Sequence, residues 1–522
     1  MKQMKKLASV LLILAMIFTM SATAFAANTK AHTITITNDK AGHTYTAYQV
    51  FKGDISNGKL TNIEWGSGVN GDGLLVALKA LENSHYSKCK TAEDVADVLK
   101  YFGDNSQNLD EFARVVGGHL SDAAGTSTET KGETQSTYTI NVTGDGYYFI
   151  KDAGDLGTDD AATKYILKVV GDVTVAAKSE VPSIDKVIVN ADSANGNEGK
   201  GTAQDVGSVV QFKLTSRVPA MDGYDTYTYI VNDTMSFGLT AVDENNDGKI
   251  DIAVTINGTE YTDFTVAQNG QSFTITFNNF IDQKKNAGKD IVIKYSATLN
   301  ENALTTDKET NTVYLQYSNN PNSDTKGNTP EKVVYVYDFD LVIDKYTGDE
   351  TTGERLSGAK FVLMNSDKTK YYYYDEANKN VQWNSLESGE KLEDVLAEEY
   401  TGNTKVTQVT TDANGAAKFQ GLDSGTYYLH ETEAPAGYNL LKEDVTVTIT
   451  AKYGDDGQIT ESSAISTNNG QYLQTQKIEN KSGTLLPSTG GIGTTIFYIA
   501  GAVLVIAAGV LLVTRRRMNK NK

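Results

Sequence analysis

The side chains that most often do chemistry are few and scattered along these 522 residues. Histidines stand at 32, 43, 85, 119 and 430, and no His-Glu-x-x-His run sets two of them on one helix face to hold zinc. No serine lies in the Gly-x-Ser-x-Gly elbow that exposes a hydrolase nucleophile. The glycine-rich stretch 66–73 lacks the Lys-Ser/Thr ending of a phosphate loop. Cys89 is the sole cysteine, so neither an intramolecular disulfide nor a cysteine-based metal cluster can form. Acidic oxygens recur from Asp243 to Asp251 as in a calcium loop, but no helix pattern or spaced closing Glu accompanies them. The segment reads as a hairpin turn. The tyrosines at 371–374 alternate as packing residues do. No cofactor and no metal is expected, and no constellation for a turnover enzyme is present.

Composition then narrows what must position any site. Asp and Glu number 66 against 47 Lys and Arg, a formal charge of −19 that excludes a generally basic nucleic-acid binder. The length suggests three to four domains at roughly 150 residues each. Tyrosine is abundant (29, against two tryptophans), which favours strands over helices.

Three units are expected between the two ends. The first, 27–178, opens with alternating strands at 33–37 and 45–51. A helical insertion follows: Leu74, Leu75, Leu78 and Leu81 recur at helical spacing, Thr91 to Asp94 has capping character, and 109–120 is similar. Strands return at 138–142, 146–150 and 165–170. The second unit, 179–330, contains short β-branched or alternating runs between Gly, Asn and Asp clusters, the pattern of an antiparallel sandwich. The third, 331–481, opens with strands at 333–337 and 341–345, carries a polar, helix-prone insertion at 375–399, and closes with a strand at 472–478. The fold class is therefore mainly β, in tandem sandwich domains, with a mixed first domain.

The ends differ from the middle. Residues 1–26 read as a signal peptide: Lys2, Lys5 and Lys6, an apolar run, then Ala24-Phe25-Ala26. At 482–522 stand Leu486-Pro487-Ser488-Thr489-Gly490, an apolar span at 494–514 near the ~20 residues needed to cross a bilayer, and a basic tail at 515–522. This ordered trio resembles the cell-wall sorting signal (LPXTG) of Gram-positive surface proteins. The resemblance implies that a sortase cuts between Thr489 and Gly490 and passes the Thr489 carbonyl to an amine.

A second resemblance lies in the third unit. Tyr427-Tyr428-Leu429-His430-Glu431-Thr432-Glu433-Ala434-Pro435 resembles the E-box of Gram-positive pilins and of the immunoglobulin-like Cna B-type domains that carry it. In that family a first-strand lysine and a last-strand asparagine form a spontaneous amide bond assisted by an acid. The resemblance implies Lys345 and Asn480 as partners and Glu431 as the acid, with Glu433 as its competitor. Such a reaction needs burial, because only a neutral lysine is a nucleophile, and burial lowers a lysine pKa while raising that of a carboxyl. Strand alternation agrees: Leu341, Ile343 and Lys345 share one face, as do Tyr427, Leu429 and Glu431. The second unit, read as Cna A-like, resembles the middle domain of SpaA-type pilins. It implies Lys186, Asp233 as acid, and Asn311 with Asn319 as the alternative amide. The same family places an acceptor lysine at the end of the first domain, which implies Lys178. Its usual Tyr-Pro is here Ala176-Ala177, so Lys186, Lys168 and Lys164 remain open.

Together these features are similar to the major subunit of a sortase-assembled SpaA/FimA-type pilus, in which Thr489 of one subunit joins Lys178 of the next. The implied partners are a class C-type pilus sortase, a housekeeping sortase, further copies of the chain, minor pilins and peptidoglycan; the sequence names no host receptor. The other reading is a wall-anchored monomeric adhesin, which shares every signal except the acceptor lysine.

Overall fold

Alternating burial builds the first unit. The computed structural model describes residues 30–482 and 492–518, apart from 57–58, 83, 103–106, 155, 157–159, 163–165, 171, 178–180, 190, 192–197, 322 and 468–469. The unit rests on β1 (Ala31–Asn38), β2 (Tyr45–Ser56), β3 (Ser136–Thr143), β4 (Gly146–Asp152) and β5 (Val173–Ala176), with helices α1 (Gly71–Ala80), α2 (Ala92–Leu99) and α3 (Gln107–Gly117) between β2 and β3. In β1 the buried Ile34 and Ile36 alternate with threonines, as a half-buried strand requires. β1 pairs antiparallel with β3 and parallel with β5. The facing β4 is covered on both sides. Tyr148 and Ile150 enter the core with Ile34 and Ile36, whereas Phe149 points to the core beneath the helices, with Leu74, Val95 and Phe112. Thr91 caps α2 with a reciprocal capping box to Asp94.

The middle unit is a two-sheet sandwich. One sheet holds, in order, the strands Ile184–Ile188 (β6), Val209–Arg217 (β7) and Asp290–Leu299 (β9). The other holds β8 (Tyr229–Met235) paired with β10 (Glu309–Ser318), which in turn pairs with β11 (Lys332–Tyr337). β11 pairs with β10 and with Gly201–Ala203. This corrects the expectation that 333–337 opens the third unit: its hydrogen bonds complete the middle sheet. The segment 243–251 is not a hairpin turn, since the flanking strands Leu239–Ala241 and Ala253–Ile256 both pair with β9 rather than with each other.

The third unit pairs β12 (Phe339–Thr347) in parallel with β15 (Tyr472–Glu479), facing a sheet that contains β13 (Lys360–Met364) and β14 (Gly425–Glu433). Within 375–399 the chain forms the strand Asn380–Asn384 on Tyr371–Asp375 and only one helical turn, Leu392–Val395. Charged side chains gave that insertion a helical look, but pairing to a buried tyrosine strand wins. A final helix, α4 (Ile492–Met518), contains a stretch, Phe497–Arg516, long and apolar enough to cross a bilayer, which overlaps the expected 494–514.

The units also touch. The segment 160–162 leaves the first unit and docks on the middle one, with Ala161 in the middle core and Ala162 N donating to Asn319 O at 2.6 Å. The same segment carries Asp160. His43, wholly buried, lies 2.7 Å from Asp152 and 3.1 Å from Asp160. Burial alone would lower the His43 pKa, but the two carboxylates outweigh it and raise it to about 9.

Candidate functional site

In the third unit, register decides which groups meet. Lys345 lies opposite Ile478 across the parallel β12–β15 pair. Asn480 follows two residues later, and its backbone N–H donates to Tyr346 O at 2.9 Å. Glu431 arrives from β14 in the facing sheet. All three are buried, at 0%, 1% and 2% exposure. Lys345 Nζ donates to Asn480 Oδ1 and lies 3.2 Å from Glu431 Oε1. Asn480 Nδ2 lies 3.2 and 3.4 Å from the two Glu431 oxygens and donates to Asn439 O at 3.1 Å. Leu441 N–H donates to Glu431 Oε2 at 2.8 Å. Burial lowers the Lys345 pKa, and Glu431 resists that shift without cancelling it. Glu433 is elsewhere: it is 59% exposed at its side chain and pairs with Lys360 at 2.7 Å.

The middle unit brings Lys186, Asp233 and Asn311 together by a different route. Lys186 comes from β6 in one sheet. Asp233 and Asn311 come from adjacent strands of the other, where Met235 pairs with Asn311. Lys186 Nζ meets Asp233 Oδ2 at 2.8 Å and donates to Asn311 Oδ1. The rings of Phe212 and Tyr295 each lie 5.5 Å from the amine. Burial pushes the Lys186 pKa down to about 8, with Asp233 opposing, and raises that of Asp233. Asp233 is a strand residue pointing into the core, not a turn cap. Asn319 lies at the far end of β10, where its Oδ1 accepts from Thr325 Oγ1 at 2.8 Å. Tyr295, unmarked in the sequence, is part of this cluster, since its hydroxyl donates to Asp233 Oδ2 at 2.7 Å and accepts from Asn311 Nδ2 at 3.0 Å.

Both clusters set a buried lysine amine against an amide carbonyl beside a buried acid, which is the arrangement needed for amide exchange with loss of ammonia. Among the described residues, no His, Cys, Asp and Glu group is arranged to hold a metal. Lys178, Lys164 and residues 486–490 lie outside the described residues, as does the side chain of Lys168. Lys186 is fully buried, so it is not available to a neighbouring chain.

Residues 206–321 match a model of the Gram-positive pilin backbone subunit 2, Cna-B-like domain. The middle unit is thus Cna-B-like rather than Cna A-like. Residues 341–464 match the SpaA prealbumin-like fold domain, and 478–520 match the LPXTG cell wall anchor motif. The chain is 28% identical over 372 residues to fimbrial subunit type 2 of Actinomyces naeslundii, covering 67% of this chain and 63% of that one. It is 26% identical to the trypsin-resistant surface T6 protein of Streptococcus pyogenes serotype M6, covering 66% of this chain and 70% of that one. The solved T6 backbone pilin superposes with a TM-score of 0.49 at 20% identity, over 90% and 92% of the two chains. The middle unit thus carries a pilin-backbone Cna-B-like domain, the third unit a SpaA prealbumin-like domain, and the chain ends in an LPXTG cell wall anchor motif, so in these parts it is similar to Gram-positive backbone pilins.

Proposed function

We propose that this chain is the shaft-forming subunit of a covalently polymerised surface pilus. Two internal amide bonds, Lys345 to Asn480 and Lys186 to Asn311, lock its subunits. The observation that carries the reading is the pair of buried Lys–acid–Asn clusters in consecutive units, upstream of a wall-anchor motif. In each cluster the acid takes a proton from lysine, the neutral amine attacks the Asn carbonyl carbon, and ammonia leaves. Packing supplies the effective concentration that an intermolecular encounter would lack. Each bond forms once, so the chain consumes itself as substrate.

Between subunits, a pilus sortase of class C type joins Thr489 of one copy to Lys178 of the next, and a housekeeping sortase attaches the last to peptidoglycan, with minor pilins added to the shaft. The junction end of the first unit, downstream of β5, favours Lys178. The test is immunoblotting of cell-wall extracts boiled in detergent. A ladder of large species is expected, and its loss in Lys178→Ala with normal subunit expression identifies the acceptor. A single band from wild-type cells replaces the shaft with the monomeric adhesin.

A further inference from the structure

The two clusters differ in how their acid reaches the leaving nitrogen. In the third unit Glu431 touches Asn480 Nδ2 itself. Asp233 is one methylene shorter, and its Oδ2 is occupied by Lys186 Nζ at 2.8 Å and Tyr295 Oη at 2.7 Å. Its Oδ1 is buried with no hydrogen-bond partner, which disfavours a carboxylate there. The gap to Asn311 Nδ2 is filled by the Tyr295 hydroxyl, 3.0 Å from that nitrogen.

Resting on the cross-linking reading above, we propose that Tyr295 is a catalytic residue of the middle unit, carrying to Asn311 Nδ2 the proton that Asp233 takes from Lys186. The bookkeeping of atoms is closed. Neutral Lys186 Nζ attacks Asn311 Cγ, and the new N–C bond forms as the carbonyl π electrons move to oxygen. Asp233 takes one proton from Nζ while passing its own to Tyr295 Oη. The Tyr295 proton goes to Nδ2, the Cγ–Nδ2 bond breaks, and ammonia departs with the two hydrogens of the amide and one that replaces the lysine's. Asp233 and Tyr295 end as they began, and no oxidant or co-reactant is needed.

The placement suits a relay. Tyr295 stacks on Phe212 (ring centroids 5.3 Å apart) and meets Phe273 edge-on at 5.1 Å, which fixes its hydroxyl. Burial holds the phenol well above its ordinary pKa, so it gains one proton as it gives another and never stands as a phenolate. The third unit needs no such hydroxyl because its longer acid spans the distance.

The test is a time course on the full chain made by cell-free synthesis, quenched in denaturant and digested. The Lys186–Asn311 and Lys345–Asn480 peptides are then quantified by mass. Tyr295→Phe keeps both ring contacts and is expected to slow the middle bond at least about a hundredfold, within the range for lost general acid–base help, while the third-unit bond keeps its wild-type rate. Adding Asp233→Glu is expected to restore the middle bond, because the longer acid reaches Nδ2 as Glu431 does. A Tyr295→Phe chain that cross-links at the wild-type rate, or a double variant as slow as the single one, overturns the relay. A wild-type chain with no middle cross-linked peptide overturns the reading beneath it instead.

Discussion

Replacing Lys345 by methionine isolates what the third-unit bond does for stability. Methionine keeps the length and apolar stem of lysine but cannot form an amide. Glu431 is not stranded by the change, since it still accepts from Leu441 N–H at 2.8 Å and from Asn480 Nδ2 at 3.2 Å. The loss is therefore mainly the constraint on the unfolded chain. Lys345 and Asn480 are 135 residues apart. By analogy with a disulfide, closing such a loop removes unfolded-state entropy equivalent to roughly 5 kcal/mol at 25 °C. For a unit of this size each kcal/mol moves the melting point by about 2–4 °C. Lys345→Met is thus expected to lower the third-unit transition by about 10–20 °C in calorimetry, with the middle transition unmoved, and to raise the intact mass by one ammonia beyond the substitution itself. A third-unit transition within about 3 °C of wild type would show that the amine and amide meet without bonding, or that the bond adds nothing to stability, and either result refutes the argument.

Asn311→Ala is expected to abolish the middle cross-link and Asn319→Ala to leave it intact, read by intact mass; the opposite pattern removes Asn311 from the site. His43 has a folded pKa raised from 6.5 to about 9, so the stability it adds is complete below about pH 6.5 and is lost as pH rises through 9. That is roughly 3 kcal/mol; the urea midpoint of the first unit is expected to fall between pH 6 and pH 9.5, and far less so in His43→Gln. Gly415 has φ +71°, and a Cβ there would stand 2.4 Å from Lys345 O. Gly415→Ala is expected to displace β12 and slow the Lys345–Asn480 bond severalfold in the same peptide time course; an unchanged rate counts against register control of that site.

The parts of the fold legible in the sequence were those set by short-range pattern. Period-two burial placed Lys345 and Glu431 on core faces, and the helical spacing of Leu74 and Leu78 gave α1. Choosing between Asn311 and Asn319 was harder, because both fall on the buried parity of β10 and its continuation. Pairing puts Asn311 opposite Met235 near Asp233, whereas eight residues at about 3.3 Å carry Asn319 to the other end of the sandwich. Tyr295 carried no local signal among 29 tyrosines. Its role exists only because β9 lies next to β7 and lifts its side chain between two strands of the opposite sheet. The membership of β11 and the meeting of His43 with Asp160 are likewise long-range facts that no window of sequence contains.

The placement of β10 and β11 between the two proposed cross-links has a mechanical consequence. With Lys178 as acceptor and Thr489 as donor, force through a fibre enters at 178, crosses from Lys186 to Asn311, runs along 312–344, crosses from Lys345 to Asn480 and leaves at 489. The whole first unit then hangs beside the load line, free to present its surface without bearing weight. Between the two cross-links, 312–344, which holds most of β10, all of β11 and most of β12, resists pulling by hydrogen bonds alone. Drawn out at about 3.3 Å per residue, that stretch reaches roughly 110 Å, and the difference between that length and its folded span is the extension each subunit yields before covalent bonds go taut, a built-in shock absorber between two cross-linked blocks.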